Sequence, residues 1–150
     1  MRVQLALNVK DLDKAVEFYS KMFGVEVNKR KPGYANFAVE NPPLKLVLFE
    51  LPDEPERLNH LGVEVFDDEA VPAATERIQA AELEHLIEEE TNCCFAKSTK
   101  VWAKEPDGLQ WEWYKVLEDS ESFGETPKLD TDAAGVPQVA DAEKGGPCCS

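Results

Sequence analysis

No run of this sequence approaches the roughly 20 consecutive apolar residues needed to cross a bilayer. The apolar start is broken by Lys10 and Asp11 before a signal-peptide core could form. These absences predict a cytoplasmic protein with no membrane partner. Basic residues are scarce as well: 16 against 30 acids, for a net charge of −14. A chain this acidic repels phosphate backbones, which argues against nucleic acid as a partner. Histidine is limited to His60 and His85, and cysteine to four residues. The cysteines form two adjacent pairs, Cys93-Cys94 and Cys148-Cys149. Neighbouring cysteines fit disulfide geometry poorly, and the cytoplasm keeps thiols reduced. They read as ligands or redox groups. Residues 118–150 hold few large apolar side chains, with eight acids and two bases. That composition predicts a disordered acidic tail ending in cysteine.

What is present is a globular core. The chain has 150 residues, 43% of them apolar, enough for one domain or two small modules that share a core. Val3, Leu5, Leu7 and Val9 alternate with Gln4, Ala6 and Asn8, which predicts a strand with one packed face. Asp11 suits an N-cap. Leu12, Ala15, Val16, Tyr19 and Phe23 recur at helical spacing, and Gly24 ends the helix. Strands are expected over 25–29, 34–40 and 44–51, with turns at Pro32-Gly33 and at Asn41-Pro42-Pro43.

After an acidic, proline-containing linker at 52–57 the pattern restarts. Residues 59–65 match 3–9 at an offset of 56, and Asp67 falls on Asp11. A helix is expected over 69–81, then strands over 84–89, 92–96, 100–104 and 109–116. The repeat predicts an α+β fold in which two paired βαβββ modules, 2–51 and 58–117, form an open, cleft-bearing mixed barrel. The domain would span 1–117 and the tail 118–150.

The repeat also aligns possible metal ligands. Gln4 lies on the non-core face of the first strand, and His60 takes the equivalent position in the second module. Glu112 lies between the large residues of the last strand, costly surroundings for a carboxylate unless it is paired or bound to a metal. If these strands converge, Gln4, His60 and Glu112 make a three-ligand arrangement with positions open for substrate and O2, as in non-haem Fe(II) oxygenases. The fourth symmetric position holds Val47, which cannot ligate. The same residues also suit structural roles: a hydrogen-bonded core histidine, a strand-edge amide and an exposed acid. His85, among Glu82, Glu84 and Glu88, reads as solvated, and Lys100 as a surface lysine.

A regular strand sends Cys93 and Cys94 to opposite faces. To hold one atom together they need a turn or bulge, which a loop between Glu90 and Thr99 would supply. The second module is nine residues longer between equivalent ligand strands, and part of that excess lies around this pair. Thiolates suit soft ions, trivalent arsenic among them. Two small half-buried apolar residues is the competing reading.

The βαβββ repeat, the Gln4/His60/Glu112 positions, DLDKAVEFY (11–19) and HLGV (60–63) resemble the vicinal oxygen chelate superfamily, which includes glyoxalases and extradiol dioxygenases. PGYANFAVENPPLKLVLFE (32–50), TNCCFAKSTKVWAKEPDG (91–108) and WEWY (111–114) resemble one branch of it, the organoarsenical C–As lyases, often labelled cadmium-induced or glyoxalase/bleomycin-resistance proteins. The likeness covers about residues 2–116. It implies an Fe(II)-dependent, O2-using enzyme that cleaves trivalent methyl- or aromatic arsenicals to arsenite. By position, Gln4, His60 and Glu112 would hold iron, and Cys93 and Cys94 the arsenic. Tyr34 and Asn36 would line the substrate pocket, in a monomer or homodimer. Two other functions stay open: a non-catalytic arsenic- or cadmium-binding protein using the four thiols, and a glyoxalase- or extradiol-type metalloenzyme acting on a carbon substrate.

Overall fold

The computed structural model describes residues 1–93 and 95–120, and for Cys93 the backbone alone. Cys94, Cys148, Cys149 and the tail from 121 onward lie outside the described residues. Among the described residues the element order is βαβββ twice over, eight strands and two helices, the α+β arrangement expected from the repeat. The chain divides into two compact units, Met1–Glu64 and Val65–Ser150.

The first unit contains β1 (Arg2–Val9), α1 (Leu12–Phe23), β2 (Lys29–Lys31), β3 (Tyr34–Val39), β4 (Leu44–Glu50) and β5 (Leu58–Glu64). Its strand order is β2-β3-β4-β1-β5. β1 runs parallel to β4 and antiparallel to β5. The strand that opens the second repeat therefore completes the first unit. Helix α1 forms where expected. The Asp11 carboxylate accepts the Lys14 N–H at 3.1 Å, and Gly24 leaves the helix at φ 66°. Leu12 and Val16 of α1 pack on Val9, Ala35, Phe37, Val39, Leu46 and Leu48 from one face of the sheet. Each large side chain buried in this way contributes about 1.5–3 kcal/mol.

The opposite face is polar and buried. Strand register sets Gln4, Ala6 and Asn8 beside Lys45, Val47 and Phe49 of β4. It continues to Asn36 and Tyr34 on β3, and to Gly62 and His60 on β5. Gln4, Asn8, Asn36 and His60 are all buried.

The second unit contains α2 (Ala70–Ala80), β6 (His85–Cys93), β7 (Ala96–Lys104) and β8 (Gln110–Asp119). Its strand order is β8-β7-β6. Ala74 and Ile78 of α2 pack on Val101, Ala103 and Trp113. The other parity again gives a buried polar face, with Ser98, Lys100 and Trp102 on β7 beside Glu112 and Tyr114 on β8.

Three expected strands differ. β2 begins at Lys29 rather than Val25. Val25 and Val27 pack against the α1 core, and pairing to β3 starts where Asn28 N–H reaches Asn36 O at 2.8 Å. The expected strand over 92–96 does not exist by itself. Its residues end β6 and begin β7, with Cys93 in register with Ala96. The last strand continues beyond Val116 to Asp119, because Glu118 and Asp119 pair with Lys97 and Ala96. Those two acids, assigned to the tail by composition, belong to the ladder.

Candidate functional site

In the first unit, β1 and β5 bring Gln4 and His60 together. Gln4 Nε2 lies 3.0 Å from His60 Nε2, both side chains buried. Two donor-atom groups of a possible ligand set thus share one focus. His60 Nδ1 contacts Asn59 Oδ1 at 2.7 Å. Phe49 lies beside the imidazole, ring centroids 6.3 Å apart, and Tyr34 beside Phe49 at 5.7 Å.

Tyr34 and Asn36, expected to line a pocket, are also joined. Asn36 Nδ2 donates to the Tyr34 hydroxyl at 2.8 Å, and Asn28 Nδ2 donates to Asn36 Oδ1 at 2.8 Å. Both amide ends of Asn36 are engaged, which holds its orientation. Val47 sits between Asn36 and Ala6 in register. It offers no donor atom, as the sequence implied.

Toward the Arg2 end of the same face, Glu64 accepts from Lys45 Nζ at 3.0 Å and pairs with Arg2. Burial pushes the Glu64 carboxyl up, but the Lys45 charge and the Arg2 and Lys45 hydrogen bonds outweigh it and hold the group below the usual carboxylate range.

Glu112 stands in the second unit, buried among large side chains as the strand pattern suggested. Its partner overturns an expectation. Lys100 is not a surface lysine: its side chain is 5% exposed and Nζ donates to Glu112 Oε2 at 3.0 Å. The ammonium also faces the rings of Trp102 and Tyr114, at 5.4 and 5.7 Å. Trp102 is itself fixed by donating from Nε1 to Glu88 Oε2 at 2.7 Å. The ammonium anchors the buried carboxylate and fixes its orientation.

The Cys93 side chain and all of Cys94 lie outside the described residues; β6 stops at Cys93 and β7 starts at Ala96. The expected open loop over 90–99 is therefore mostly strand. It is irregular strand, however. The β6–β7 register shifts between Glu88 and Thr91, and Glu90 and Phe95 take left-handed backbone at φ 51° and 61°. Such kinks re-aim side chains out of strict alternation. Lys97 ties the three strand ends, 3.0 Å from Glu90 and 3.8 Å from Glu118. The hydrogen bond that Lys97 donates to the Glu90 carboxylate is the main influence holding its ammonium above the usual value. Ser120 N–H closes on Phe95 O at 2.9 Å.

His85 takes no part; its Nδ1 bonds Leu83 O at 2.7 Å near the start of β6. Among the described residues no group of three or more His, Cys, Asp or Glu side chains gathers to hold a metal. Gln4 adds an amide in contact with His60. The first unit thus offers an imidazole and an amide, and the second separately offers a carboxylate, each a donor type that divalent first-row cations accept.

The sequence missed Lys100, Asn59 and Asn8. Lys100 shares strand parity with Trp102, but its role depends on the β7–β8 register. Asn8 was legible as a neighbour of Gln4 on the polar face.

A profile of the Glyoxalase/Bleomycin resistance protein/Dioxygenase superfamily matches residues 2–113. Over 127 residues the chain is 55% identical to the cadmium-induced protein CadI of Mycobacterium bovis, covering 85% of this chain and 84% of that one. Over 152 residues it is 45% identical to a trivalent organoarsenical cleaving enzyme of Thermomonospora curvata, covering 99% of each. In structure it is similar to the Mn(II)-bound glyoxalase of Novosphingobium aromaticivorans, with a TM-score of 0.59 at 18% identity over 85% of this chain and 44% of that one. At that identity the likeness is one of fold.

Proposed function

The chain belongs to the Glyoxalase/Bleomycin resistance protein/Dioxygenase superfamily, and from that premise we propose that it cleaves the carbon–arsenic bond of trivalent organoarsenicals. The enzyme uses Fe(II) and O2 and releases arsenite. Gln4, His60 and Glu112 hold the iron, and Cys93 and Cys94 hold the arsenic. The reducing cytoplasm is the compartment in which those thiols stay available.

The observation that carries this reading is the buried contact between Gln4 and His60. Two side chains with ligating atoms meet on a face where nothing but polar chemistry justifies them. Glu112 brings the negative charge that the neutral pair lacks, and Lys100 keeps that carboxylate oriented. The likeness to the Thermomonospora curvata enzyme supports the substrate class, together with the adjacent cysteines at 93 and 94 of the sequence.

Bound Fe(II) would supply the activation of O2. The protein supplies position. Two thiolates hold trivalent arsenic by its soft side and fix the direction of its carbon substituent, and holding a reactant in this way can account for a large part of the rate. Phe49, Tyr34 and Asn36 give the first unit's face an ordered wall of aromatic and amide groups, which limits water next to the ligands.

The test is anaerobic loading with Fe(II), then methylarsenite and air, with arsenite measured. Wild type is expected to release arsenite; Glu112→Ala and the Cys93→Ser/Cys94→Ser pair are expected to fall to background. No arsenite from wild type, or full activity in Glu112→Ala, overturns the assignment. One relative, CadI, is named as cadmium-induced; the second reading is a non-catalytic, thiol-based arsenic- or cadmium-binding protein. It predicts cadmium binding that is lost with the thiols and is indifferent to Glu112.

A further inference from the structure

We propose that Asn59 is the positioning residue of His60, and that one backbone carbonyl, that of Glu56, decides which imidazole nitrogen carries the proton. The inference rests on His60 being a metal ligand; it is independent of which substrate is cleaved.

The chain of hydrogen bonds has a fixed direction. A backbone carbonyl can only accept. Asn8 Nδ2 lies 2.8 Å from Glu56 O, so that end of the Asn8 side chain is its NH2. Asn8 Oδ1 is then the acceptor for Asn59 Nδ2 at 2.8 Å. That leaves Asn59 Oδ1, an acceptor, 2.7 Å from His60 Nδ1. Nδ1 must therefore carry the proton, and Nε2 must present its lone pair. The lone pair points where Gln4 waits at 3.0 Å. Every amide orientation in the relay follows from the single group that cannot be reversed.

Two features of the backbone make the relay possible. The β1–β5 register shifts between Ala6 and Leu7: Ala6 faces His60 while Leu7 faces Leu58. Asn59 is the extra residue of a bulge. In a regular strand it would point away from His60, but a bulge re-aims its side chain. The far end is clamped to the linker between the repeats. Asn8 N–H donates to Arg57 O at 2.8 Å, and Arg57 Nε donates to Asn8 O at 2.8 Å. The linker thus does more than join two modules. It anchors the relay that aims a ligand.

Metal-ligating imidazoles commonly give their other N–H to a carbonyl or carboxylate, and losing that partner costs 10–100-fold in metal affinity. Here the partner is a side-chain amide whose own orientation is enforced from the linker.

The test uses full-length, metal-free protein labelled with 15N. His85→Gln leaves one imidazole in the spectrum. Cys93→Ser, Cys94→Ser, Cys148→Ser and Cys149→Ser remove competing thiols. At about pH 8.5, with ordinary imidazoles neutral, the His60 nitrogen shifts are expected to show Nδ1 protonated and Nε2 bare. A dominant Nε2–H form overturns the proposal. Asn59→Leu is expected to give mixed tautomers and a Co(II) Kd raised 10–100-fold; unchanged tautomer and Kd overturn it. Asn59→Asp retains the acceptor and is expected to keep the Nδ1–H form, which covers the case in which Asn59→Leu does not fold. Loss of the Nδ1–H form in Asn59→Asp also overturns it. Failure of arsenite release with these results intact would sink the substrate assignment and leave the relay standing.

Discussion

Asn36 in the first unit and Lys100 in the second are buried to the same degree, 3% and 4% exposed, and are satisfied in opposite ways. Asn36 is held by neutral groups, the Tyr34 hydroxyl and the Asn28 amide. Lys100 is held by a carboxylate and two aromatic rings. Lys100 is the counterpart of Tyr34, the partner of Asn36: Tyr34 pairs with Phe49 in the first unit as Lys100 pairs with Tyr114 in the second. One topology thus carries two solutions to burying polar chemistry. Neutral relays cost little to desolvate and fix direction, since each amide has a donor end and an acceptor end. An ion pair is expensive to desolvate, but it keeps a carboxylate charged away from water. The first unit buries neutral, directional relays and the second buries a charge pair.

The largest effect should come from breaking the charged solution. Lys100→Met leaves Glu112 buried without its counter-charge and should destabilise the protein by about 3–5 kcal/mol, read from urea unfolding. Adding Glu112→Leu should restore most of that, because a well-packed apolar pair replaces both charges. Equal stability in the single and double variants would mean that the ion pair does not hold the face together.

A smaller effect tests the charges of the first unit. Glu64 is held below its ordinary value of 4.5 by Lys45 and Arg2 against the opposing pull of burial. A depressed carboxyl stabilises the fold fully above that ordinary value, and the contribution disappears as pH falls through the lowered one. Urea midpoints measured downward from pH 4.5 should therefore drop, and drop less in Lys45→Met. The same slope in both proteins would remove Glu64 from the account.

The smallest effect compares the two helices. α1 has a side-chain N-cap and a left-handed glycine at its end. α2 starts at Glu69, which makes no side-chain cap bond and has helical backbone at φ −80°. Glu69→Ser should stabilise by about 0.5 kcal/mol, the low end for a new cap on a residue already turned into the helix. The gain should appear as a small rise in Tm; a loss would show that Glu69 has a role its contacts do not reveal.

The periodic parts of the fold were legible in the sequence. Alternation placed β1, β3 and β4 within a residue or so, and helical spacing with Asp11 and Gly24 placed α1. Alternation failed where it was broken by geometry. Val25 and Val27 alternate like a strand but pack on the helix without a ladder. That Gln4, His60 and Glu112 sit on buried polar faces was legible because each keeps strand parity. Asn59 was missed because it sits in a bulge, and parity assigns it to the wrong side. Lys100 was missed because a lysine reads as solvated until its neighbour across the strand is known. Local pattern specifies which way a side chain points. Which partner it meets depends on register, and register is a long-range property.

The position of β1 sets an order of events during synthesis. Its parallel partner β4 is complete at residue 50, but its antiparallel partner β5 is complete only at residue 64. At roughly 5–20 residues per second, the newborn chain spends about one to three seconds with that edge of β1 unpaired and His60 not yet in place. A bare edge invites pairing with another nascent chain. The linker made in this interval carries Asp53, Glu54 and Glu56 against Arg57, charges of the kind that discourage edge-to-edge pairing.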